Sequence, residues 1–148
     1  MNYTFWQRWL LVGSLVVVVI GLGIALLNQT PLFMVFSRQV NPTFWDSLDA
    51  PANVTTFLNW VYTLMGAVMA GWGINLVFLA AYPFRQRESW AWISIAVSMT
   101  VWYIIDTTVS LAVGFVFNAV FNTLLLVLVA GVPLAFTYRS VMSNKANI

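Results

Sequence analysis

The chain contains no cysteine and no histidine. Without a thiol there is no disulfide, no thiolate nucleophile and no thiol redox relay, and without either residue there is no Cys/His zinc site. Haem or chlorophyll held through imidazole is excluded as well, and so is a Ser-His-Asp triad. Charge is almost as scarce: of 148 residues only 7% are charged, six basic and four acidic, against about 25% in an ordinary soluble domain. Six cations are too few for a nucleic-acid footprint, which needs many Lys/Arg contacts to phosphate. No phosphate-binding P-loop, G-x-S-x-G elbow or zinc signature occurs. The expectation is therefore no metal, no cofactor and no nucleic-acid partner.

What fills the chain instead is apolar: 61% of residues are hydrophobic and 16% aromatic. A water-soluble fold of this length has too little interior to hide that surface, so the natural solvent is lipid. A helix needs about 20 apolar residues to cross a hydrocarbon core of roughly 30 Å. Four stretches qualify, at about 9–27, 57–82, 89–111 and 115–138. The first is longer than a signal-peptide core and no A-x-A-like site follows it, so it reads as a retained span. The fold class expected is all-α: an antiparallel transmembrane four-helix bundle forming a single domain over 1–148.

Basic residues set the orientation. Arg8, Arg85, Arg87, Arg139 and Lys145 fall on one side, and only Arg38 on the other. By the positive-inside rule both termini face the cytoplasm, in a cytoplasmic membrane crossed several times. Trp and Tyr gather near the span ends, as interfacial belts do. The second and third connections are short and make spans two, three and four antiparallel neighbours. The first, about residues 28–56, is long and carries Pro31-Leu-Phe-Met-Val-Phe36 and Phe44-Trp45, too apolar to lie free in water. It is expected to form a short amphipathic helix or a lid over the extracytoplasmic end. Asn28-Gln-Thr30 and Asn53-Val-Thr55 match the glycosylation sequon, a triplet that also arises often by chance.

Asp106 is the one carboxyl within an apolar span. An Asp at a helix centre costs about 2.5–3.5 kcal/mol on insertion scales and calls for a partner, a proton or water. At about 100° per residue, Trp102, Tyr103, Asp106 and Ser110 share one side of span three, and Asn118 and Asn122, four apart, share a face of span four. All fall in the outer half, at the level of Trp60 and of Arg38, the lone cation there. Two readings compete. Asn, Ser and Asp side chains serve widely as hydrogen-bonding glue between membrane helices; alternatively Asp106, Asn118, Asn122, Trp102, Tyr103, Ser110, Arg38 and Trp60 line a ligand pocket, with Asp106 as anchor and Arg38 as its ion-pair partner. A proton or ion path is a third, weaker option.

The remaining features have plainer roles. Gly66, Ala70 and Gly73 in span two, and the Gly21-Leu-Gly-Ile-Ala25 run in span one, allow close helix approach. Asn75 reads as an interhelical hydrogen bond, and Pro133 as a bend in span four.

The sequence Gly71-Trp-Gly73, Pro83-Phe-Arg85, Trp90-Ala-Trp92, Trp102 with Asp106-Thr107 and Ser110, and Phe117-Asn118 with Asn122 resembles a group of small bacterial four-span membrane proteins of unassigned function. That resemblance covers spans two to four and implies a bacterial cytoplasmic membrane, but no particular chemistry. The architecture is also similar to the sterol-isomerase and sigma-2-receptor-like family, whose four or five spans enclose a pocket with acidic residues. This chain has one intramembrane acid where that family has more, so no residue roles carry over.

The function expected is binding of a small hydrophobic or amphipathic ligand, lipid-like or isoprenoid-like, in an intrabundle pocket toward the outer leaflet. The partners expected are membrane lipids, that ligand, and a homo-oligomer or larger membrane complex. The alternatives are an accessory subunit of a larger complex, a transporter or channel component, and a lipid-modifying enzyme using Asp106.

Overall fold

The computed structural model describes residues 2–143; Lys145, counted in the charge balance, lies outside them. Five helices follow one another: α1 (Tyr3–Leu27), α2 (Met34–Trp45), α3 (Ala52–Ala81), α4 (Ser89–Ala112) and α5 (Val116–Met142). Four of them, α1, α3, α4 and α5, are long and apolar enough to cross a membrane, and together they make the four-helix bundle. α1 and α3 begin several residues before the apolar stretches do. Hydropathy marks the hydrocarbon layer, whereas backbone hydrogen bonding continues into the headgroup zone. At 1.5 Å per residue α3 is about 45 Å long, well over the thickness of the hydrocarbon core.

Two kinds of contact hold the bundle. α1 and α3 form the closest pair, because small residues face each other where they cross. A Cβ built on Gly21 would stand 2.5 Å from the backbone nitrogen of Ala70, and one on Gly73 would stand 2.9 Å from that of Val18. Only glycine permits this approach, as the small-residue spacing implied. The short α3–α4 turn does not bring those two helices into comparable contact. Bulky aromatics separate them instead; the rings of Trp72 and Trp102 meet at 5.8 Å.

The core lies toward the end that carries the N-terminus and the α3–α4 turn. Leu10, Leu76, Ile95, Met99 and Leu134 bring one or more buried residues from each spanning helix to it. Pro83 cannot continue α3, and Phe84 behind it is fully buried. The N-terminal turn of α1 is pinned onto this corner. The Tyr3 hydroxyl donates to the Phe84 carbonyl, the buried Gln7 Nε2 donates to the Ala80 carbonyl at 2.9 Å, and the Arg87 guanidinium lies 4.8 Å over the Tyr3 ring.

The opposite end is capped by α2, the short helix anticipated in the long connection. Phe33, just before its first residue, and Phe36 within it pack on Tyr62 of α3 at 5.0 and 6.2 Å, and Phe36 also reaches Phe117 of α5 at 6.4 Å. α2 closes with Asp46 at φ 48°, a conformation Asp tolerates better than most residues, and the Asn41 amide donates to the Leu48 carbonyl. Asn28, the first sequon residue, is buried, and its amide bonds the end of α1 and Thr63 of α3. Packing explains that asparagine. Asn75, by contrast, is exposed on α3, and no hydrogen bond to its side chain is found among the described residues.

α5 carries a π-helical segment, Leu126–Gly131, immediately before Pro133. At its end the Val132 N–H donates to the Val127 carbonyl, five residues back. The next donor in that register would be residue 133, which as proline has no N–H. The Leu128 carbonyl is therefore left over, and the Trp9 indole of α1 donates to it at 2.7 Å. Pro133 thus acts by releasing a carbonyl to a neighbouring helix.

Candidate functional site

Asp106 sits on α4 nearly two turns before the helix ends. The reversal after Ala112 is closed by Gly114 at φ 78°, with the Phe115 N–H donating to the Ser110 carbonyl at 2.8 Å and the Gly114 N–H to that of Leu111 at 3.1 Å. This glycine C-terminal motif turns the chain back within a few residues. As a result Asn118 of α5 lands beside Asp106, and its Nδ2 donates to Asp106 Oδ1 at 2.7 Å and to Ser110 Oγ at 2.8 Å. The Ser110 hydroxyl, one turn along α4, lies 2.7 Å from the Asp106 carbonyl and 3.2 Å from Oδ1.

Two further rungs join the same helices. The buried Asn122 Nδ2 donates to Thr107 Oγ1 at 3.4 Å, and the hydroxyls of Tyr103 and Thr123 are 3.2 Å apart. Thr107, quoted above only within the resemblance, and Thr123 are not among the pocket residues expected from the sequence, since threonine is common in membrane helices. Their signal was adjacency: each flanks a residue of the Asp106–Asn122 set.

Asp106 is only half-buried. Its Oδ1 is held, while no bond to Oδ2 is found among the described residues, where the one buried side-chain polar atom lacking a partner is Asn28 Oδ1. The second carboxylate oxygen thus reaches the bundle surface. Trp102 lies against Trp72, on the neighbouring helix.

Two of the residues expected at this pocket show no contact with it among the described residues. Trp60 is exposed and packs on Phe57 of its own helix at 5.9 Å. Arg38 is exposed on α2, whose buried side carries Val40 and Asn41, and no ion pair between Arg38 and Asp106 is found among the described residues. Sharing a depth in the membrane does not bring two side chains to the same side of a bundle. Among the described residues no group of three or more acidic side chains gathers that would hold a metal ion.

Among the described residues, two cavities border the N-terminal half of α1, and the larger extends along α5 as far as Phe121, next to Asn122. A groove of about 570 Å³ runs between α1 and α5, walled by Phe5, Trp9 and Val12 on one side and Leu124 and Leu128 on the other, with Arg8 also in its lining. Gly13 and Val129, both in its lining, meet closely (a Cβ on Gly13 would be 3.0 Å from Val129 Cγ1), and Leu128 and Val129 belong to the π segment. The second cavity, about 230 Å³, is lined by Thr4, Gln7, Arg8, Leu11, Ala81 and Arg85. Arg8 borders both. Successive residues of α1 are rotated by about 100°, so Thr4, Gln7 and Leu11 face the α3–α4 corner, Phe5, Trp9 and Val12 face α5, and Arg8 lies on the boundary.

Comparison of the chain with protein families, with curated proteins and with solved structures gives no match, so the functional reading rests on this geometry.

Proposed function

We propose that the protein binds an amphipathic, lipid-like molecule whose apolar part lies in the groove between α1 and α5. The observation that carries the reading is the groove itself. Its volume of about 570 Å³ falls within the roughly 300–1,000 Å³ of small-molecule sites. Its wall is almost wholly apolar, and a single guanidinium borders it. Hydrocarbon gains nothing by leaving other hydrocarbon, so selectivity here depends on shape, dispersion and the polar end of the guest. The groove lining has no nucleophile and no carboxyl, which favours a binder over an enzyme. With the N-terminus in the cytoplasm, as the basic residues argue, the groove runs from the inner leaflet at Phe5 and Arg8 toward the outer half at Phe121, and Asp106 belongs to that outer half.

The test is to fill the groove. Leu124→Trp projects an indole into it from an exposed position on α5. Lipids and small molecules retained by the purified protein are compared by native mass spectrometry with those on the variant. Loss of a retained species, with melting temperature and helicity preserved, is the expected result. A folded variant with an unchanged set of retained molecules refutes the groove as a binding site.

One observation favours a second reading. Asp106 Oδ1 is fixed by Asn118 and Ser110 while Oδ2 is open, an arrangement suited to a guest that presents a hydrogen-bond donor or a cation at the α2-capped end.

A further inference from the structure

The corner where α1 meets the α3–α4 turn has an imbalance of charge. Arg8, Arg85 and Thr4, all exposed, border one cavity of about 230 Å³, and no carboxylate lines it. No ion pair to either arginine is found among the described residues. Their neighbours are committed elsewhere. Gln7 is buried with its amide nitrogen on the Ala80 carbonyl, and Arg87 lies over the Tyr3 ring. The backbone that carries Arg85 is held in place. The turn is fixed by Phe84 N–H to the Leu79 carbonyl at 3.0 Å, Arg87 N–H to the Phe84 carbonyl at 2.9 Å and Glu88 N–H to the Pro83 carbonyl at 3.0 Å, and Phe84 anchors it from within.

We infer that this cavity is a binding site for a phosphate-type anion, held between Arg8 and Arg85 with Thr4 as an additional donor. Guanidinium groups present paired N–H donors that match phosphate oxygens, and because Arg8 and Arg85 border the same cavity, one multiply accepting anion can engage both. The inference rests on the groove reading for the identity of the carrier. Because Arg8 borders both cavities, a lipid with a phosphate headgroup can place its chain along α1 and α5 and its headgroup at the corner. A free phosphate shares the chemistry but ignores the groove.

The bland reading is non-specific attraction of basic residues to anionic membrane. Under that reading affinity follows the count of positive charges near the surface, and Arg139, exposed near the end of α5 on the same side, would matter as much as Arg8. Under the site reading Arg139 is irrelevant, and replacing arginine by lysine is damaging although charge is kept.

The experiment titrates the purified full chain in neutral detergent with three probes, short-chain phosphatidylglycerol, short-chain phosphatidylcholine and inorganic phosphate, and reads melting temperature and native mass spectra. The proteins are the wild type, R8K/R85K, Arg139→Gln and Leu124→Trp. Saturable binding of phosphatidylglycerol in preference to phosphatidylcholine is expected. R8K/R85K should weaken it by about tenfold or more, the loss expected when paired charge-assisted contacts become single ones, and Arg139→Gln should leave it unchanged. Equal binding by R8K/R85K and wild type, or an equal loss in Arg139→Gln, overturns the site. Binding of phosphatidylglycerol that survives Leu124→Trp, with inorganic phosphate binding as well, supports the anion site and refutes the groove. Loss of phosphatidylglycerol but not phosphate in Leu124→Trp supports both. Retention of phosphatidylcholine by wild type and not by Leu124→Trp, with no preference for either anion, overturns the anion site and leaves the groove standing.

Discussion

Replacing Gly66 by alanine tests the crossing on which the bundle is built. Helix propensity alone favours the change, since alanine exceeds glycine by about 1 kcal/mol in a helix interior. The space does not. A Cβ at this position would stand 2.6 Å from the Gly21 carbonyl oxygen and 2.9 Å from Ala25 Cα, and closer still to the Ala25 backbone nitrogen. All three are backbone atoms and none can rotate away. Restoring ordinary contact opens the crossing by roughly 1 Å, which loosens the contacts at Ala70 and Gly73 on the same face. Overpacking of this kind costs about 1–3 kcal/mol, so net destabilisation is expected. Gly71, on the same helix, has nothing within 4 Å of its virtual Cβ, and Gly71→Ala should be neutral or slightly stabilising. Unfolding by titration with SDS in mixed micelles, followed by circular dichroism, compares the two. If Gly66→Ala unfolds at the same SDS fraction as Gly71→Ala, or a higher one, α1 and α3 do not cross as closely as described.

Trp9→Phe should cost about 1 kcal/mol, because the Leu128 carbonyl loses its donor. In a Pro133→Ala background, where residue 133 regains an N–H, the same change should cost little; strictly additive effects in a double-mutant cycle would disprove the link between proline and indole. Asp106→Leu leaves Asn118 with only Ser110 to receive its amide and should lose about 1–3 kcal/mol, whereas Asp106→Asn keeps an acceptor and should lose less. The same SDS titration ranks the two, and a reversed order contradicts the network. Retained molecules unchanged by Asp106→Asn would eliminate the second reading of function.

The spans were legible because a membrane imposes a composition that few other environments allow, and α2 because Phe33 and Phe36 needed cover. The Asp106, Ser110 and Asn118 cluster followed from helical spacing plus the tight turn at Gly114. No bond from Arg38 or Trp60 to that cluster is found among the described residues; hydropathy gives depth along the normal and says nothing about azimuth around the bundle. The groove was invisible for a related reason. Val12 or Leu124 facing a cleft has the same sequence signature as Val12 or Leu124 facing lipid. The π segment left one trace, Pro133, but the residues within it, Leu-Val-Leu-Val-Ala-Gly, are those of any apolar helix.

The hairpin of α4 and α5 has a bearing on how the chain enters the bilayer. During synthesis the carboxyl at 106 emerges before the amide at 118 that will solvate it, and the tight reversal at Gly114 keeps that delay to a dozen residues. The two segments then have reason to partition laterally as a pair, neither exposing its polar rungs to acyl chains alone. Lengthening the reversal with a flexible insert would separate them in time, and the defect would appear as failed integration before any loss of equilibrium stability.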